Sequence, residues 1–277
     1  MKQSAQLPSE DAGALESTSR PRRERLHSIM SALVRSERIT VEKLSAEFGV
    51  SGATIRRDLF LLEGQGLLRR DHGGAGAAEP LIYEAFALGS SFREEVERQA
   101  AEKKRIGLAA AEMIEDGETV ALSAGTTTTQ VARSIPFHKR ITVFTNAVNI
   151  AMELSHRKNI AVNLTGGSLR PSWFSLVGPM AIEFAQRMIF DKVFIGSNGV
   201  SAQVGLTDHH TEEAAVNRVL LAQARRRIVV ADHTKFSVVA PNVVGGVELI
   251  DTIVTDRETL ETELQPFRDR GIDVRRV

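Results

Sequence analysis

The stretch Ser51-Gly-Ala-Thr-Ile-Arg-Arg-Asp-Leu-Phe-Leu-Leu-Glu63 reads as a helix with one apolar stripe and one basic, polar face. Ser51 is placed to accept a backbone N–H at the helix start. Ile55, Leu59 and Leu62 recur at helical spacing and share the stripe. Thr54, Arg57 and Asp58 point elsewhere, with Arg56 at the border. Upstream, Ile39-Thr-Val-Glu-Lys-Leu-Ser-Ala-Glu-Phe-Gly-Val50 reads as a shorter helix, capped by Thr40 and ended at Phe48 by a turn through Gly49. Helix, glycine turn and helix in this order make the unit whose second helix enters the major groove of DNA.

The flanks extend that unit. Residues 22–35 carry Leu26, Ile29, Leu33 and Val34, which suits a first helix covering the other two. Gly66-Leu-Leu-Arg-Arg-Asp-His-Gly-Gly-Ala75 reads as a strand and a tight glycine turn, the shape of a wing. Double-stranded DNA is the partner these residues suit. Ser51, Thr54, Arg56 and Arg57 would meet bases or phosphates, and Arg69, Arg70 and His72 would clamp the backbone.

Total charge carries no such signal, because 35 basic residues balance 35 acidic ones. The balance is uneven along the chain. Residues 21–78 hold ten Lys plus Arg against seven Asp plus Glu, a local excess of three positive charges. The chain has no cysteine, which excludes disulfides, cysteine nucleophiles and the usual structural zinc sites. The first 20 residues are polar and read as a disordered tail, not a signal peptide. No apolar run approaches the roughly 18 to 20 residues of a membrane span. A cytoplasmic protein without a membrane partner is expected.

Four segments follow from these patterns: the tail at 1–20, a winged helix-turn-helix domain at 21–78, a linker at 79–100 and an α/β domain at 101–277. In the linker, Tyr83, Phe86 and Phe92 are candidates for packing against a partner or the second domain. Beyond residue 100, strand-like runs at 118–122, 141–145, 160–164, 192–195, 228–231 and 253–255 alternate with helical segments. That alternation predicts a Rossmann-like, mostly parallel sheet covered on both faces. Ligands of such sheets bind beyond the carboxyl ends of the strands. There the chain places Ser123-Ala-Gly-Thr-Thr-Thr-Thr129, Thr145-Asn146, Thr165-Gly-Gly-Ser-Leu-Arg170, Gly196-Ser-Asn-Gly199 and Asp232-His-Thr-Lys235.

The first of these loops puts a glycine and hydroxyls at a helix start, where backbone N–H groups and the helix dipole favour an anion. Arg170 and Lys235 are candidates for added positive charge. Glu212 or Glu213 is placed to bond sugar hydroxyls. Neither the ATPase phosphate loop nor the dinucleotide glycine pattern is present. Asp208-His-His-Thr-Glu-Glu213 contains metal-capable side chains, but its adjacent histidines share no face, and no metal or cofactor is expected.

Taken together these motifs resemble the DeoR family of bacterial transcriptional regulators. Val50-Ser-Gly-Ala-Thr-Ile-Arg-Arg-Asp-Leu59 and Gly66 to Ala75 carry the likeness at the N-terminus. Gly125-Thr-Thr-Thr128, Thr145-Asn146, Gly166-Gly-Ser-Leu-Arg-Pro171, Leu176-Val-Gly-Pro179, Asp191-Lys-Val-Phe-Ile-Gly-Ser-Asn-Gly-Val200 and Ala231-Asp-His-Thr-Lys-Phe236 carry it at the C-terminus. The resemblance implies a repressor of carbohydrate-metabolism genes whose effector domain resembles ribose-5-phosphate isomerase and binds a phosphorylated sugar. It implies an effector site around Ser123, Gly125, Thr126, Thr127, Asn146, Gly167, Arg170, Asn198, Glu213 and Lys235, in a homodimer or homotetramer. Two positions depart from the family pattern. Ser123-Ala124 stands where an Asp is common, and Asn217 where a Lys is common. An alternative is a sugar-phosphate isomerase or deaminase with an appended DNA-binding domain, using Glu213, Asp232 and Lys235 as acid–base groups.

Overall fold

The computed structural model describes residues 22–36, 38–64, 67–77 and 90–277. The expected tail, Gly66, the side chain of Val34, and Tyr83 and Phe86 of the linker lie outside the described residues.

At the N-terminus the helices Arg22–Arg35, Val41–Phe48 and Gly52–Gly64 fold on one another. The Thr40 side chain accepts the Lys43 N–H at the start of the second helix. Gly49 ends that helix in the left-handed region, at φ 63°, and its N–H returns to the Ser45 carbonyl. Ser51 Oγ accepts the Thr54 N–H at 3.3 Å and so caps the third helix. Leu26, Ile29 and Leu33 meet Leu44, Phe48, Ile55, Leu59 and Leu62 in a single buried cluster.

The wing is a three-stranded antiparallel sheet in the order Arg38–Thr40, Gly74–Ala77, Leu68–Asp71. Its first strand was not foreseen, because three residues between two helices carry no alternation of their own. One polar residue also departs from expectation. Asp58 does not point away from the apolar stripe but is 1% exposed, since it follows Ile55 by three residues and so shares its face. Its carboxylate lies 2.6 Å from Arg25 Nε and 3.3 Å from Arg22 Nε.

The second half is built on seven parallel strands. Their order is Asp273–Arg276, Thr252–Thr255, Ala224–Val230, Phe190–Ile195, Thr119–Leu122, Ile141–Thr145, Ile160–Leu164. Helices Ala100–Glu112, Thr126–Ser134 and Val148–Leu154 cover one face. Helices Pro179–Gln186, Thr211–Ala222 and Glu261–Arg268 cover the other. The chain order reverses between Thr119–Leu122 and Phe190–Ile195, which makes the gap between those strands the topological switch point. A three-stranded antiparallel sheet of Gly199–Ser201, Gly205–Asp208 and Asn242–Gly245 and a ribbon of Ser168–Arg170 and Ser175–Val177 flank it. Neither was expected, and nor was the edge strand Asp273–Arg276.

The two halves touch. The first helix packs on Ala100–Glu112 and Thr126–Ser134. There the His27 ring stands edge-on to His138, with centroids 5.1 Å apart. Burial, then the positive fields of His138 and Arg157, push the His27 imidazole below its ordinary value. The segment expected as a linker contains the helix Ser90–Glu97. Its Phe92 is buried edge-on against Trp173 and Phe174, at 6.0 and 5.1 Å, so this helix packs on the second half.

Candidate functional site

The recognition-helix face carries Ser51, Arg56 and Arg57 exposed to solvent, with Thr54 half-buried. Ser51 Oγ and Thr54 Oγ1 lie 3.1 Å apart, so this hydroxyl pair is committed first to the cap. Neither Arg56 nor Arg57 forms an ion pair with a described residue, which leaves both charges available to phosphates. On the wing, Arg69 and His72 are exposed. Arg70 is differently placed: its Nε lies 2.6 Å from Glu63 and its guanidinium sits 5.0 Å over the Phe60 ring. Its charge is therefore partly spent on holding the wing to the third helix. Arg38, unremarked in the sequence, pairs with Asp71 at 3.0 Å and steadies the same hairpin.

In the second half an open cleft lies over the carboxyl ends of the central strands, at the switch point. Of the expected effector residues, Gly125, Thr126, Thr127, Asn198, Glu213 and Lys235 line it. Gly125 precedes the helix Thr126–Ser134 at φ 151°, a conformation open to glycine and rarely to other residues. Thr128 and Thr129 turn their hydroxyls back onto the Gly125 carbonyl, at 3.0 and 2.6 Å. Thr126 and Thr127 are left facing the cleft, beside the N–H groups of the first turn, which have no intrahelical acceptor.

Ser123, Asn146, Gly167 and Arg170 do not line the cleft. The Ser123 hydroxyl is fully buried and accepts the Gly196 N–H at 3.1 Å, tying together the two loops that face each other across the switch point. Asn146 Oδ1 accepts the Ala124 N–H at 2.9 Å and props the glycine loop from behind. A Cβ on Gly167 would lie 2.5 Å from the Val177 carbonyl, so this glycine serves the ribbon. Arg170 Nη1 lies 2.7 Å from Glu213 Oε1 and steers that carboxylate, which also accepts the Ser175 hydroxyl. The pattern follows sheet order. Loops after the three central strands reach the cleft, whereas those after Ile141–Thr145 and Ile160–Leu164 are too lateral and buttress it instead.

Sequence reasoning missed Glu95, Trp173, Ser197 and Asp208 as wall residues. His209 and His210, which the sequence marks only as metal-capable side chains, line the cleft beside Asp208. Burial, reinforced by the negative charge of Glu213, holds the Asp208 carboxyl above the ordinary carboxylate range against the hydrogen bonds it accepts from His210 and His209 N–H groups. Asn198, also in the wall, accepts the His209 N–H on Oδ1 at 3.2 Å. Lys235 is held by Glu95 at 3.0 Å. Asp232 is 1% exposed and caps the turn His233–Lys235 by accepting the Thr234 N–H. Elsewhere His233, Asp256 and Glu258 bring ligand-type atoms within 4.8 Å of one another. Asp256 already accepts the backbone N–H groups of His233 and Glu258, which accounts for that cluster as a loop clamp.

This geometry can hold an anion at the helix start and Lys235, and hydroxyl groups at Asp208, Glu213 and Asn198. Comparison with known proteins gives a consistent picture. Residues 98–257 match the family model described as the DeoR C terminal sensor domain, and residues 25–80 match the DeoR-like helix-turn-helix domain. The chain is similar to the HTH-type transcriptional regulator GlpR of Haloferax volcanii, 36% identical over 91% of this chain and 96% of that protein. It is 30% identical to the HTH-type transcriptional regulator GolR of Listeria innocua, over 91% of this chain and 97% of that one. It is also 28% identical to the glycerol-3-phosphate regulon repressor of Escherichia coli K12, over 91% and 97% of the two chains. Ribose 5-phosphate isomerase A of Neisseria gonorrhoeae aligns over 50% of this chain and 53% of its own, at 12% identity and a TM-score of 0.38. Among the described residues no helix is long and apolar enough to cross a membrane.

Proposed function

The chain belongs to the DeoR family of DNA-binding transcriptional regulators, and from that premise we propose that it represses carbohydrate-metabolism genes under the control of a phosphorylated sugar. The observation that carries this reading is the cleft itself. A helix start rich in free N–H groups and a lysine ammonium meet at the switch point, opposite a wall of carboxylate and amide acceptors and donors. Phosphate suits the first of these surfaces and sugar hydroxyls suit the second. The Escherichia coli relative, a glycerol-3-phosphate regulon repressor, supports the same ligand class.

A homodimer or homotetramer would present two recognition helices to half-sites one helical turn apart, roughly 34 Å. Ligand and DNA would be coupled through two arrangements of the halves. A coupling of about 1–3 kcal/mol corresponds to a shift of roughly 5- to 150-fold in operator affinity. We read the protein as a regulator and not an isomerase or deaminase, because the relatives it matches over nine tenths of its length are transcriptional regulators. Of the groups an enzyme would use, Glu213 is held by Arg170 and Ser175.

Lys235→Ala tests the site. A ligand that binds only the folded state raises the melting temperature. A panel of sugar phosphates is expected to contain at least one that raises it for the natural protein and not for the variant. An equal rise in both would remove Lys235 from the site, and turnover of any panel member would favour the enzyme reading.

A further inference from the structure

Among the described residues, Glu95 is the one lining residue supplied by the segment that joins the DNA-binding half to the effector half. Its carboxylate is shared between two ammonium groups, Lys235 Nζ and Lys103 Nζ, each 3.0 Å from Oε1, with the largely exposed Arg98 Nη1 3.6 Å from Oε2. Lys103 is 1% exposed and also donates to the Glu95 backbone carbonyl at 2.5 Å, so it pins the end of the helix Ser90–Glu97. Burial alone would raise the Glu95 carboxyl, yet the hydrogen bonds and charges of Lys235 and Lys103 outweigh it and hold the group below its ordinary range. Glu95 is therefore an anion already seated on the cation of the cleft. Asp208 and Glu213 stand in the same cleft, so an incoming anion depends on Lys235 and the helix start for its attraction.

A phosphate that reaches Lys235 must share it with Glu95 or take it. Sharing places two like charges on one ammonium in a partly dry cleft, where such repulsion is poorly screened. We propose that Glu95 is a built-in competitor for the effector's phosphate, and that the phosphate takes Lys235 from it and loosens the helix Ser90–Glu97 from the effector domain. This rests on the reading of the cleft as the effector site. It names the element through which occupancy is felt in the connector. That helix is otherwise anchored by Phe92 against Trp173 and Phe174, so displacement of its Glu95 end changes the packing around the tryptophan.

Trp173 is the only tryptophan in the chain, which makes the event directly observable. The natural protein, Glu95→Gln and Lys235→Ala are titrated with inorganic phosphate while Trp173 emission and its quenching by acrylamide are followed. Phosphate is expected to red-shift the emission and increase quenching in the natural protein. Glu95→Gln is expected to bind phosphate about tenfold more tightly, because a charge-assisted bond to the competitor is no longer broken. Lys235→Ala is expected to show no phosphate response. Equal or weaker binding by Glu95→Gln, with binding lost in Lys235→Ala, would overturn the competitor and leave the site standing. Undiminished binding by Lys235→Ala would overturn the site and the competitor with it. The measurement on the natural protein stands without any variant: phosphate binding that leaves Trp173 unmoved overturns the displacement.

Discussion

Asp58→Ala is expected to unfold the helix-turn-helix half while leaving the effector half folded. Asp58 sits at 1% exposure beneath the first helix, and Arg25, also buried, has its Nε 2.6 Å away. Removing the carboxylate breaks the 2.6 Å ion pair that Asp58 makes with the buried Arg25, beside an apolar cluster of leucines and isoleucines. Breaking a buried pair from one side costs about 3–5 kcal/mol, far more than an exposed pair is worth. A domain of this size has stability of the same order. Hydrogen exchange resolved along the chain checks this. Protection should collapse across Arg22–Arg35 and Gly52–Gly64 and persist across Thr119–Leu122 and Phe190–Ile195. Unchanged protection in the N-terminal helices would mean that the pair contributes nothing to holding them together.

Arg57→Ala is expected to leave the fold intact and to damage DNA binding. Arg57 is exposed on the face opposite Ile55, Leu59 and Leu62 and forms no ion pair with a described residue. Its charge therefore has no structural duty to lose. Loss of a base-reading arginine costs about 1–3 kcal/mol of operator affinity, and loss of a phosphate contact lowers the salt slope by about one. Fluorescence anisotropy against an operator duplex at several salt concentrations separates these two contributions. Arg70→Ala should cost less by the same assay, since Arg70 is already paired with Glu63 and stacked on Phe60. Affinity unchanged by Arg57→Ala would contradict the placement of this helix in the groove.

The contrast between Asp58 and Arg57 explains how far the sequence could be read. The stripe of Ile55, Leu59 and Leu62 was legible because apolar spacing alone defines a helix face. Asp58 lies on that face too, but its partner Arg25 is 33 residues upstream, and local pattern carries no information about such a pair. In the second half, runs such as Thr119–Leu122 were legible because strands buried on both faces read as continuous apolar stretches. Asp273–Arg276 is an edge strand, mostly exposed and rich in charge, so it carried no such signal. The site divides in the same way. Gly125, Thr126, Thr127, Asn198 and Lys235 follow central strands, and strand ends are where ligands of such sheets are sought. Glu95 and Trp173 reach the cleft only through tertiary packing of the connector helix and the turn within the ribbon. Arg170 and Asn146 carried the right chemistry but sit behind lateral strands, one place removed from the opening.

If occupancy of the α/β cleft controls a sequence-reading domain at the other end of the chain, selected duplexes must report it. Duplexes are selected from a random pool, and the selected duplex is titrated by anisotropy with and without a panel of sugar phosphates. Enrichment of paired half-sites about one helical turn apart is expected, with at least one sugar phosphate that shifts affinity by roughly 5- to 150-fold. A pool that yields no preferred sequence, or a preferred duplex whose affinity no phosphorylated sugar moves, would contradict it.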